Sequence, residues 1–133
     1  MSATDVETIR EGLAALNRGD VDAMKAAVDP EVELVPLRAV LDGSTYHGHE
    51  GLRRWMDDMV EDWTEYELTL HEVRELRPGR LLVRATMRLR GRSSGVAVDS
   101  PAAWLCDMRA AKIARIRFFA DSESALAASE EAN

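Results

Sequence analysis

"GLRRWMDDMVEDWTEYELTLHEV" (Gly51–Val73) holds the change of rhythm that decides the fold. Leu52, Trp55, Met56, Met59, Val60 and Trp63 recur at i, i+3, i+4, i+7, i+8 and i+11, which puts them on one stripe of a helix. Past Trp63 the period becomes two. Tyr66, Leu68 and Leu70 alternate with Glu67, Thr69 and His71, the pattern of a half-buried strand. Helices are expected before this point and strands after it.

Upstream, Thr4-Asp5-Val6-Glu7 reads as a capping box, followed by a stripe of Val6, Ile9, Leu13 and Leu16. Gly19 supplies a left-handed C-cap, and Asp20 caps a second short helix that Pro30 ends. "EVELVPL" (Glu31–Leu37) alternates as a short strand. A loop, Arg38–Gly48, leads into the third helix.

Downstream, "RPGR" (Arg77–Arg80) is a turn. Leu81, Val83, Ala85, Met87 and Leu89 form one face of a long strand. Two more strands, Val96–Arg109 and Ile113–Phe119, meet near Ala110-Ala111. Asp121 caps a closing helix. The whole is an α+β fold: a curved antiparallel sheet wrapped around N-terminal helices, with an unfilled concave face that suits a small molecule.

Bulk properties exclude several classes. The 133 residues fit one domain, residues 1–133, without linker or repeat. Hydrophobic content of 46% is enough for a core. A net charge of −7 argues against nucleic acid as a partner. No apolar run reaches the ~20 residues of a membrane span, and no signal peptide is legible. The single cysteine, Cys106, rules out an internal disulfide. A soluble cytoplasmic protein is the expected class.

"NRGDVDAM", "DPEVELVP", "YHGHEGLRRW", "GRSSGVAVDSP" and "AKIARIRFFADSESAL", in that order and spacing, resemble the SnoaL-like branch of the nuclear transport factor 2 superfamily. The resemblance covers about Val6 to Ala128. It implies a cone-shaped α+β barrel with an internal cavity, commonly a homodimer through the sheet. It does not fix an activity, because this fold hosts enzymes, binding modules and transport factors.

Two catalytic sets of related enzymes can be placed on this chain. The ketosteroid isomerase positions fall at Gly12, Val35 and Ala103 or Leu105, none with a polar side chain. The limonene epoxide hydrolase positions fall at Arg88-Leu89-Arg90 and Phe118, where its carboxylates are missing. Neither mechanism is supported. A SnoaL-type cyclase, which uses a carboxylate in the cavity, stays open.

By the correspondence with ketosteroid isomerase, Ile116 and Phe118 line the cavity. A two-residue turn at Ala110-Ala111 puts Leu105 and Asp107 beside them and Trp104 on the outer, dimer-forming face with Arg117. A three-residue loop reverses this. Trp55, Met59 and Trp63 form the wall contributed by the third helix, and Val35 lines the first strand. In the family, the position of Tyr46 often faces the cavity mouth, where a phenol can donate to a ligand oxygen. Glu33, Asp42 and Asp107 are the acid/base candidates: Glu33 shares parity with Val35, and Asp42 sits on a loop that could cover the pocket.

His47 and His49 lack further ligands at metal-site spacing, so neither metal nor other cofactor is expected. The arginines from Arg74 to Arg92 read as an outer sheet face paired with Glu67, Glu72, Glu75 or a second subunit. The expected function is binding of a small, mostly apolar organic ligand, with proton-transfer chemistry (isomerisation, cyclisation or dehydration) if the protein is an enzyme. The alternative is a non-catalytic ligand-binding or dimerisation module.

Overall fold

The stripe of Ile9, Leu13 and Leu16 is buried along α1 (Ala3–Arg18), as its spacing predicts. The structure, a computed structural model, describes residues 3–37 and 43–131. At the end of α1, Gly19 takes φ +68° and the amides of Gly19 and Asp20 bond back to Leu16 and Ala15. Such a left-handed exit is nearly free only for glycine. Asp20 then caps α2 (Val21–Ala27) by accepting from the Ala23 amide.

Strand β1 (Val28–Val35) starts where α2 stops, three residues earlier than the alternation predicts. Pro30 therefore lies inside β1 rather than ending α2. The register shifts between Val28 and Glu33, and such an irregularity is where a strand tolerates a residue without an N–H. After β2 (Tyr46–His47) comes α3 (Gly48–Asp62). Gly48 has φ +71°, and Gly51 packs so tightly that a Cβ there would sit 2.9 Å from the Tyr46 carbonyl carbon. Leu52, Trp55 and Met56 are buried, while Val60 of the same predicted stripe is exposed.

The remainder is sheet: β3 (Trp63–Arg77), β4 (Arg80–Gly91), β5 (Ala97–Arg109) and β6 (Lys112–Phe119), then α4 (Ser122–Glu131). The strand order is β2-β1-β6-β5-β4-β3. Four pairings are antiparallel as expected, but β1 runs parallel to β6. The curved sheet is thus mixed and open, with one parallel pairing where an all-antiparallel sheet was expected. A parallel neighbour is possible because the long excursion through α3 and β3–β5 supplies the crossover.

The three N-terminal helices fill the concave face. Their core includes Ile9, Leu16, Leu34, Leu52, Leu81, Val83, Trp104 and Ile116. The side chain of Asn17 ties α1 to the sheet edge, accepting from the Leu68 amide (2.9 Å) and donating to its carbonyl (3.0 Å). These bonds satisfy backbone groups that an edge strand leaves unpaired. The closing helix α4 lies on the opposite face, where Ala125 packs with Leu82, Ala103 and Leu105. No helix among the described residues is long and apolar enough to cross a membrane.

Candidate functional site

Which side chains enter the cone depends on one extra residue in β6. The β5–β6 turn has two residues, as expected: Arg109 pairs with Lys112, and Ala110 and Ala111 have φ +50° and +63°. Positive φ at both positions is what a twisted two-residue hairpin requires. Beyond it Met108 pairs with Ile113, but Asp107 pairs with Arg115. Ala114 is left over as a bulge, and a one-residue slip exchanges the faces of a strand. Trp104 and Cys106 therefore point into the cone with Ile116 and Phe118. Leu105, Asp107 and Arg117 point out beneath α4. The expected placement of Leu105 and Asp107 inside, with Trp104 outside, is overturned by that bulge.

The cavity opens between α3 and the concave side of β4, β5 and β6, with a volume of about 370 Å³. Its walls include Trp55, Met59, Trp63, Met87, Trp104 and Phe118. All three tryptophans of the chain thus meet at one hollow. Phe118 joins two of them. Its ring stacks on Trp55 at a centroid distance of 5.4 Å and meets Trp104 edge-on at 5.0 Å. Polar groups are few: the carboxylate of Asp62, exposed at the end of α3, and the hydroxyl of Ser100. The narrow end of the cone is filled. Ile9, Met24, Trp104, Cys106, Ile113 and Ile116 leave only about 10 Å³ there. The Cys106 thiol is pushed up to about 12 by burial and then by the charge of Asp107, so it is no nucleophile at neutral pH.

The structure brings together Trp55, Met59, Trp63 and Phe118 of the predicted site. Ile116 faces inward but belongs to the packed narrow end. Tyr46 is 3% exposed and donates to Asp58 on α3 at 2.5 Å, with the Arg54 guanidinium 5.7 Å from its ring centroid. It ties β2 to the middle and later turns of α3 rather than lining the cavity. Val35 and Glu33 share parity as predicted, but on the outer face, because inward-facing Val32 and Leu34 occupy the core. Glu33 there pairs with Arg115 at 2.8 Å. Asp107 pairs with Arg80 at 2.7 Å. Asp42 lies outside the described residues. The outer arginines do pair across strands: Arg84 with Glu72, Arg88 with Asp99 and Arg90 with Glu65. Exposed His47 meets Glu31 at 3.5 Å, and no group of three metal-ligating residues occurs among the described residues.

Sequence reasoning missed Trp104, Met87, Ser100 and Asp62. In Ala102–Cys106 every residue is buried, because α4 covers one face and α1–α3 the other, so alternation carries no directional signal. Met87 was legible as part of the apolar face of β4.

The model of the SnoaL-like domain matches residues 9–116. The chain belongs to the SnoaL-like family. Solved structures place this SnoaL-like domain in the same fold. An NTF2-like protein of unknown function from Burkholderia pseudomallei is 21% identical with a TM-score of 0.79, covering 96% of this chain and 97% of that one. TerC, co-crystallised with polyporic acid, is 20% identical with a TM-score of 0.80, covering 96% and 99%. A protein from Jannaschia, proposed to be a SnoaL-like polyketide cyclase, is 16% identical with a TM-score of 0.76, covering 100% and 97%. No curated protein matches the sequence.

Proposed function

We propose that the concave cavity binds a compact, flat, mostly apolar organic molecule, and that this SnoaL-like domain acts first as a binding protein. The observation that carries this is the convergence of Trp55, Trp63, Trp104 and Phe118, with Met59 and Met87, on one hollow. Rings offer large apolar contact at fixed geometry, and methionines adapt to irregular ligand shape. A volume of about 370 Å³ lies near the lower end of the range for small-molecule sites, about 300–1,000 Å³, which favours a ligand of a few fused or linked rings. TerC, similar in fold, was co-crystallised with polyporic acid, which supports an organic ligand for a domain of this fold.

Catalysis by proton transfer is the second reading. Two of the three carboxylates that could have served it, Glu33 and Asp107, are engaged on the far side of the sheet. Asp42, the third candidate, lies outside the described residues, and its substitution tests this reading. A homodimer through the outer face of the sheet and a cytoplasmic setting complete the proposal; sedimentation at micromolar concentration tests the dimer.

The test is a panel of neutral one- to three-ring compounds, read by thermal shift and by tryptophan fluorescence. Saturable quenching with a matching rise in Tm is expected for at least one member. Absence of any response across the panel refutes the binding reading. Asp42→Asn then separates the two readings: a binding protein keeps its affinity within twofold and shows no turnover, whereas an enzyme loses turnover on Asp42→Asn while still binding.

A further inference from the structure

A second hollow lies on the other side of the sheet, between the ends of β1 and β6 and the helix α4. It encloses about 420 Å³, with walls that include Val35, Pro36, Phe119 and Ala128, and Arg117 is the one charged residue among its described walls. Arg117 is 8% exposed, and its Nε and Nη2 have no hydrogen-bond partner. Its neighbours explain why. Asp107 stands 3.9 Å from Nη2, but its two oxygens are engaged by Arg80 at 2.7 and 3.4 Å. Glu33, on the adjacent strand, is held by Arg115. Burial, and then the positive charge of Arg115, pull the Arg117 guanidinium below its ordinary pKa.

A buried guanidinium with free N–H groups is costly unless something accepts from it. The planar fork of arginine matches the two oxygens of a carboxylate. The walls around it are apolar, so what accompanies the carboxylate must be apolar too. We propose that this outer hollow binds an amphipathic monocarboxylate, its carboxylate on Arg117 and its hydrocarbon body against Val35, Phe119 and Ala128. The outer hollow meets the concave cavity along Pro36, Leu37, Phe118 and Phe119, but Arg117 belongs to the outer one alone. The two differ in chemistry, one taking neutral rings and the other an anion with a short apolar tail.

The experiment titrates hexanoate, octanoate and decanoate, with octanol as the neutral control, into the whole protein. Calorimetry and the Arg117 Nε–H resonance in a 15N spectrum report binding. Saturable octanoate binding that moves this resonance is expected, with octanol at least tenfold weaker. Arg117→Met should weaken octanoate at least tenfold, and Arg117→Lys should weaken it less. Ala128→Phe, which leaves the charge and fills the hollow, should also abolish binding and guards against a folding defect at Arg117. The proposal is overturned by no octanoate binding, by affinity unchanged in Arg117→Met, or by shifts confined to the indoles of Trp55, Trp63 and Trp104. It also falls if octanoate binds only after dissociation of a dimer, because the partner of Arg117 is then the second copy.

Discussion

Phe118→Ala removes the ring that joins the two halves of the cavity wall. The loss can be worked from its contacts. Stacking on Trp55 and the edge-on contact with Trp104 contribute about 0.5–1.5 kcal/mol each. The ring is half-buried, so its apolar burial adds about 1 kcal/mol, below the ~1.5–3 kcal/mol of a fully buried side chain. The expected destabilisation is about 3 kcal/mol, or a Tm lower by about 10 °C in a chain of this size. Urea unfolding followed by circular dichroism measures it. A double-mutant cycle with Trp55→Ala isolates the stacking pair, with an expected coupling of about 1 kcal/mol. A loss below about 1 kcal/mol, or a coupling near zero, refutes the claim that Phe118 holds the two walls together.

The buried Cys106 thiol gives a pH dependence. Its neutral form is favoured in the folded state, so this contribution is fully present below the unfolded value of about 9 and is lost as pH rises towards about 12. Stability of the wild type should therefore fall more steeply than that of Cys106→Ala between pH 9 and 10.5; equal slopes in urea titrations contradict the burial. Gly51→Ala drives a Cβ into the Tyr46 backbone and should cost about 1–3 kcal/mol, whereas an unchanged Tm means the β2–α3 corner is looser than described. Asp107→Asn removes the carboxylate that Arg80, 6% exposed, meets at 2.7 Å. Removing one partner of a buried pair costs about 3–5 kcal/mol, and partial exposure of Asp107 lowers the expectation to about 2–3 kcal/mol. Replacing both residues by apolar ones should recover part of that loss.

The elements were legible because period and capping chemistry are local. The change at Trp63, the glycine exit at Gly19 and the caps at Asp20 and Asp121 all lie in short windows of sequence, and each appears in the structure. What was not legible depends on pairing between distant strands. Nothing around Val28–Val35 announces that β1 will run parallel to β6. Ala114 looks like any other strand residue, yet as a bulge it sends Trp104 inward and Asp107 outward. Trp55 and Met59 face the hollow, because they take their direction from the helix itself. Leu105 and Asp107 were misplaced because theirs comes from a register. Tyr46 shows a further limit: its phenol found Asp58 twelve residues on, a partnership that only the packed corner creates.

The most direct test of the cavity as the binding site is one titration on Ala102→Leu. Ala102 is buried, lines the cavity and lies in β5 two residues before Trp104, so a larger side chain there occupies ligand space without touching a charge. A ring compound that binds the wild type should lose at least tenfold in affinity, read by tryptophan quenching, while Tm changes by only a few degrees. Affinity unchanged in a folded Ala102→Leu protein contradicts the account, because the ligand then sits somewhere other than the hollow that Trp55, Trp63, Trp104 and Phe118 enclose.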